Sequence, residues 1–125
     1  MNILIIMFSV LVALEFLFIM YLETFATTSS RTAETFSMSQ NDLENEKVNT
    51  LLKNQGIYNG LIGVGILYLL TFTQNYNNSL LAIMLYIILV ALYGSFSSGN
   101  KSIFFKQGTL AAIVAILLLV QMILG

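Results

Sequence analysis

Four long apolar runs alternate with polar segments along the chain, and they cover residues 3–22, 56–72, 80–96 and 108–124. Each has about 17 to 20 residues, the number that an α-helix rising about 1.5 Å per residue needs to cross about 30 Å of hydrocarbon. Backbone amides in lipid must be bonded within their own segment, and the short alternating pattern of a membrane β-strand is not seen. The pattern therefore predicts an all-α fold, a four-helix transmembrane bundle.

The polar segments set the expected helix bounds. One long linker covers residues 24–41, and the acidic side chains of Asp42, Glu44 and Glu46 follow it. Because acidic side chains complement the positive end of a helix dipole, the second helix is expected to begin near residue 42, outside the bilayer. The predicted helices cover residues 3–23, 42–72, 79–96 and 103–124, within a single domain of residues 1–125. The first run has no basic segment before it and is long for a signal peptide, which favours a retained helix over a cleaved signal.

The basic residues predict the orientation. All five lie in or beside the first and third linkers: Arg31, Lys47, Lys53, Lys101 and Lys106. Basic residues accumulate on the cytoplasmic side of membrane proteins, so these two linkers are expected in the cytoplasm and both termini outside it. An odd number of spans would break this distribution, so it also favours four. We expect a multi-pass protein of the bacterial cytoplasmic membrane.

The composition narrows the chemistry. Apolar residues make up 58% of the 125 residues and charged residues 9%, against about 25% charged in an average soluble domain. The chain has no cysteine and no histidine, which removes thiolate metal sites and the commonest general base, and we predict no metal site. The net charge of −1 and the lack of a basic stripe disfavour a nucleic-acid partner. No cofactor can be identified from the sequence.

Two acidic residues in the first predicted helix are the least expected feature. Glu15 lies about 12 Å inward of Glu23 along the helix, well inside the apolar run. The two side chains are separated by about 80° around the axis and share one broad face. A carboxyl at this depth costs a few kcal/mol and usually faces a bundle interior or a wet cavity.

The second predicted helix carries amides at a similar depth, in the string Asn54-Gln55-Gly56-Ile57-Tyr58-Asn59-Gly60. Its polar side chains fall within an arc of about 140° and should face protein or water. We therefore predict a polar pocket, open to the cytoplasm, between the first, second and fourth helices. Its expected lining is Glu15, Glu23, Asn54, Gln55, Tyr58, Asn59, Lys106 and Gln107.

Structural roles would explain the same residues. Amides in membrane helices often only join helices, at about 1 kcal/mol each, and Glu15 would then be a structural acid. Tyr58 and Lys106 would be interfacial anchors. Three glycines, Gly56, Gly60 and Gly63, fall within about 60° of one another and would let two helices approach closely, in this bundle or in an oligomer.

Several of these motifs resemble a bacterial membrane-protein family, domain of unknown function 1304. The resemblance covers nearly the whole chain, and its most specific part is the string Asn54-Gln55-Gly56 followed by Tyr58-Asn59-Gly60. The other matching positions are Leu14-Glu15, Tyr21-Leu22-Glu23, Arg31, Phe36, Tyr93-Gly94, Lys101 and Gln107. The resemblance implies four helices in a bacterial cytoplasmic membrane and no established activity. Phe16 stands where the family tends to have histidine, so a mechanism using that histidine does not carry over.

Three functions follow from these observations. The first is a binding or transport module for a small or amphiphilic molecule, which would use the predicted pocket. The second is an enzyme acting on a lipophilic substrate, with Glu15 or Tyr58 as acid or base, similar in architecture to the membrane-associated glutathione and eicosanoid enzymes; those use arginines, and Arg31 is the single arginine here. The third is a structural or regulatory partner of another membrane protein. The lipid bilayer is the expected environment, and the glycine face is compatible with a homo-oligomer.

Overall fold

A computed structural model describes residues 2–125, and nearly all of them are helical, with no strand among them. The helices are α1 (Asn2–Met20), which continues into a π-helical turn (Tyr21–Phe25), α2 (Ser30–Phe36), α3 (Gln40–Glu44), α4 (Glu46–Phe72), α5 (Asn77–Ser98) and α6 (Ser102–Leu124). Four helical segments are long and apolar enough to cross a membrane: residues 2–25, α4, α5 and α6. The all-helical fold and the number of candidate spans are therefore confirmed.

The acidic segment before the second span differs from the expectation of one helix starting near residue 42. Asp42 lies in the separate short helix α3, where its carboxylate and the hydroxyl of Ser39 form a reciprocal capping box. Asn45 then adopts an extended conformation, and its side-chain oxygen accepts hydrogen bonds from the amides of Lys47 and Val48. Because an asparagine side chain can satisfy the first free amides of a helix, α4 begins at Glu46 instead.

The chain divides into two compact units, residues 14–64 and residues 1–13 with 65–125. In the first unit, the end of α1 is closed by buried threonines. The hydroxyl of Thr32 donates to the carbonyl oxygens of Leu22 and Ala26, at 3.1 and 2.7 Å, and Thr27 donates to that of Glu23 at 2.7 Å. These bonds satisfy carbonyl groups that a helix leaves free at its end, and they hold the start of α2 against it.

In the second unit, α5 and α6 form a helical hairpin. Leu80, Met84, Ile87 and Ala91 are buried along one stripe of α5, and Gly108 is buried on α6. A Cβ added at Gly108 would lie 3.5 Å from that of Ala91, so small residues let the two backbones approach closely. Gly99 ends α5 in the left-handed conformation, at φ 71°, which favours glycine. The backbone amide of Phe104 donates to the hydroxyl of Ser95 and joins the start of α6 to α5.

Candidate functional site

Within residues 14–64, a buried carboxylate is bound by two amides. Glu23 has no exposed surface. Gln55 Nε2 donates to one carboxylate oxygen at 2.9 Å, and Asn59 Nδ2 donates to the other at 2.7 Å. Gln55 and Asn59 are four residues apart on α4, so both side chains leave the same face of the helix. The structure thus brings together three of the eight residues predicted to line a pocket.

Glycines on the same face of α4 allow this contact. A Cβ added at Gly56 would overlap Thr24 Oγ1 and would lie 3.1 Å from the Cβ of Glu23. A Cβ added at Gly60 would overlap the sulfur of Met20. Gly56 directly follows Gln55, and Gly60 directly follows Asn59. Gly63 is buried on the same face. The glycines therefore bring the backbones close enough for short amide side chains to reach the carboxylate.

The carboxylate of Glu23 lies in the π-helical turn that ends the first span. The amide of Ala26 donates to the carbonyl of Tyr21, five residues earlier, at 2.9 Å. One extra residue in a helical turn changes the direction of the side chains that follow it, and such turns are frequent at functional sites. Thr24, in the same turn, donates its hydroxyl to the carbonyl of Lys53 at 2.9 Å and adds a second polar tie to α4.

Glu15 differs from Glu23 in its partners. Its Oε1 atom is buried and accepts no hydrogen bond from the described residues. The residue is half-buried, and its neighbours on the chain, Leu14 and Phe18, expose about half of their side-chain surface, 53% and 46%. Glu15 thus combines an unsatisfied carboxyl oxygen with an apolar surface beside it.

Within residues 14–64, Asn54 and Tyr58 are not part of the Glu23 cluster, which consists of Glu23, Gln55 and Asn59. Asn54 is exposed on α4, and Tyr58 is 72% exposed. Lys106 is exposed and Gln107 is half-buried in the first turns of α6, which belongs to the other unit. A pocket that joins α6 to Glu15 therefore stays a prediction, as does a binding role for all eight residues.

Sequence reasoning missed the threonines Thr24, Thr27 and Thr32 as structural partners. Their signal was only a polar linker rich in hydroxyl groups, and hydroxyl-to-carbonyl bonds leave no spacing pattern. Arg31 contributes to the predicted orientation, and in the structure its guanidinium also lies 5.8 Å from the ring centre of Phe18, a cation–π distance. Among residues 2–125, no group of three or more acidic side chains is placed to hold a metal ion.

Comparisons with known proteins agree with these motifs. The family model described as a protein of unknown function (DUF1304) matches residues 10–120. An uncharacterized protein, YpaA, of Lactococcus lactis subsp. lactis (strain IL1403) is 53% identical over 116 residues, which are 93% of this chain and 97% of that protein. No solved structure matches the chain. The family match includes Glu15, the Glu23 cluster and both units of the fold.

Proposed function

The chain belongs to the DUF1304 family, as its motifs predicted, and we propose that it is a multi-pass protein of the bacterial cytoplasmic membrane that binds a small amphiphilic molecule at Glu15. The ligand class is an apolar body with a head that is cationic or donates a hydrogen bond. The observation that carries this proposal is the buried, unpartnered carboxyl oxygen of Glu15. Membrane residence is supported by the four apolar helices and by the bacterial relative.

An unpartnered carboxyl is costly in an apolar surrounding. A buried polar atom without a hydrogen bond costs about 1–3 kcal/mol, and it costs more when it carries a charge. A ligand ammonium or N–H group that reached Oε1 would recover part of that cost. The exposed apolar surfaces of Leu14 and Phe18 beside it would accept an alkyl or aromatic body. These two features together favour an amphiphile over a fully polar solute.

The Glu23 cluster supports a structural role for its own residues. Each oxygen of that carboxylate already accepts an amide hydrogen bond, and the side chain has no exposed surface. A ligand would have to displace Gln55 or Asn59 to bind there. Of the two acidic residues in the first span, Glu15 is therefore the proposed ligand contact and Glu23 the helix-joining group.

The orientation is a separate part of the proposal. The basic residues lie in α2, in the first turns of α4 and α6, and in the linker after α5, which favours these regions in the cytoplasm. Both termini would then lie outside the cytoplasm. A reporter that is active only in the cytoplasm, fused after residue 125, should be inactive, and fused in the linker after α5 it should be active. The reverse pattern would contradict the orientation and leave the ligand proposal unaffected.

The ligand proposal is tested with two probes of equal chain length, octylamine and octyltrimethylammonium. The protein is placed in phosphatidylcholine nanodiscs, and calorimetric titration is corrected for uptake by empty nanodiscs. We expect octylamine to bind, and Glu15→Gln to weaken it about tenfold or more, since a charge-assisted hydrogen bond contributes about 1.5–3 kcal/mol. Binding of both probes indicates recognition of charge, and binding of octylamine alone indicates recognition of the N–H group.

Glu34→Gln is the matched control, because Glu34 is an exposed acid in α2 of the same unit. This variant should bind octylamine like the unaltered protein. The proposal is wrong if neither probe binds above the nanodisc background, or if Glu15→Gln and Glu34→Gln bind octylamine equally well.

A further inference from the structure

A second polar region lies where α5 begins and α6 ends, at the opposite end of these helices from Lys101 and Lys106. All of it belongs to the unit formed by residues 1–13 and 65–125. A partly open cavity of about 410 Å³ is present there. Its lining comes from the start of α1, the linker between α4 and α5, and the last turns of α6. The residues are Asn2, Gln74, Asn75, Tyr76, Asn77, Asn78, Gln121 and Met122.

The lining is dominated by side-chain amides. Six of its eight residues are asparagine or glutamine, one is tyrosine, and none carries a charged side chain. Pockets for drug-like ligands are mostly apolar with a few polar groups, and this cavity has the opposite balance at a comparable volume. Each side-chain amide both donates and accepts hydrogen bonds. The lining therefore suits a ligand with many groups that can also donate and accept hydrogen bonds.

Gln121 lines the cavity and has a buried side-chain oxygen. Its Oε1 atom is buried and accepts no hydrogen bond from the described residues. Gln121 lies in α6, within the apolar run of the fourth span, where an amide is costly without a bond. The start of α5 adds backbone donors, because Tyr76 precedes the helix and its side chain forms no capping hydrogen bond.

From these features we propose that the cavity binds an uncharged polyhydroxylated group, such as a hexose. Hydroxyl groups donate and accept, as the amides do, and the absence of charged side chains disfavours a phosphate or a carboxylate. The ring of Tyr76 offers an apolar surface with a polar tip, which suits the mixed faces of a sugar ring. The sugar is either the head group of a glycolipid or a free saccharide, and the two sources share this chemistry.

The test uses protein purified without any glycosidic detergent, because the sugar head group of such a detergent could occupy the proposed site. The protein is extracted in lauryldimethylamine oxide and placed in phosphatidylglycerol nanodiscs with and without monoglucosyl diacylglycerol. Native mass spectrometry counts the glycolipid that stays bound on release from the nanodisc. A second arm titrates free maltose and follows it by saturation-transfer NMR. If only the glycolipid is retained, the ligand is a glycolipid head group. If maltose binds, the ligand is a free saccharide. Either result supports the proposal.

Two variants connect binding to the cavity. The double variant Asn75→Ala with Asn77→Ala should lower retention about tenfold or more, because each hydrogen bond between neutral groups contributes roughly a factor of five. Gln121→Leu replaces one amide of the lining by an apolar side chain and should lower retention about fivefold. The matched control, Gln40→Ala with Asn41→Ala, removes two exposed amides of α3 outside the cavity and should change nothing.

The result that overturns the proposal is retention of monoglucosyl diacylglycerol no greater than that of phosphatidylglycerol, together with no maltose signal. Equal retention by the control and by both cavity variants, each shown by circular dichroism to be folded, overturns it as well. Binding of an uncharged blocked dipeptide in place of either sugar would assign the amides to peptide recognition and reject the sugar.

Discussion

Glu23 and Glu15 are two turns apart in the first span, and they differ in how their carboxyl groups are satisfied. Glu23 is fully buried, and each of its oxygens accepts an amide hydrogen bond from α4. Glu15 has a buried oxygen with no partner among the described residues. The comparison teaches that depth in an apolar helix does not assign a role to an acid. The presence or absence of a dedicated donor separates an acid that joins two helices from one that the described contacts leave unpartnered.

The largest expected effect comes from removing the satisfied carboxylate. Glu23→Ala leaves the amides of Gln55 and Asn59 without their acceptor and opens a void beside them. The free energy of unfolding should fall by about 3 kcal/mol, from two lost hydrogen bonds and the void. Equilibrium unfolding in mixed micelles with increasing dodecyl sulfate measures this. Glu34→Ala is the control and should stay within about 0.5 kcal/mol. If Glu23→Ala also lowered the free energy of unfolding by no more than about 0.5 kcal/mol, the structural role of Glu23 would be contradicted.

The next effect concerns the glycines that bring α4 against the first span. Gly56→Ala places a methyl group against Thr24, whose hydroxyl is held by the carbonyl of Lys53, so unfolding should require about 1–2 kcal/mol less. Gly60→Ala meets the flexible side chain of Met20 and should cost less than about 1 kcal/mol.

Gly65 is the control for helix propensity in that experiment. A Cβ added there has no atom within 4 Å, so Gly65→Ala should stabilise by about 0.5–1 kcal/mol through the backbone alone. The same unfolding assay ranks the three variants. If Gly56→Ala stabilised as much as Gly65→Ala, close packing against Thr24 would not be required.

A smaller difference separates two asparagines on α4. Asn59→Ala removes the 2.7 Å bond to Glu23 and should cost about 1 kcal/mol, whereas Asn54→Ala should stay within about 0.5 kcal/mol because Asn54 is exposed. The test is a double-mutant cycle with Glu23→Ala. Coupling to Glu23 should appear for Asn59 and be absent for Asn54; equal coupling for both would mean that the wider polar arc acts as one unit.

The pattern of apolar runs was enough to predict the four candidate spans, because lipid leaves a helix few alternatives. The spacing of Gln55 and Asn59 was enough to place them on one face with Gly56 and Gly60. Of the residues on the predicted arc, Gln55 and Asn59 contact Glu23. Tyr58 lies about 100° from Asn59 around the helix and is exposed, so its place in a pocket stays a prediction.

Other features depend on local choices that periodicity does not record. One asparagine, Asn45, decides that α4 begins at Glu46, because its side chain caps the helix there. The π-helical turn at Tyr21–Phe25 shifts Glu23 relative to Glu15 by an amount that ideal helix geometry does not give. Whether a carboxyl group has a hydrogen-bond donor depends on the side-chain conformations of two packed helices. The residue type alone therefore does not distinguish Glu15 from Glu23.

The smallest expected effect on stability is that of Glu15→Gln, and it sharpens the comparison most because the same isosteric change can be made at Glu23. Glu15→Gln removes no hydrogen bond among the described residues and lowers the cost of a carboxyl in an apolar surrounding, so the free energy of unfolding should stay the same or rise by up to about 1 kcal/mol. Glu23→Gln presents an N–H₂ group to Gln55 or Asn59, one of which must turn its own amide to accept from it, and should lose about 1–2 kcal/mol. Unfolding in mixed micelles measures both. An equal loss for the two variants would mean that Glu15 also has a structural partner, and the distinction between the two acids would then fail.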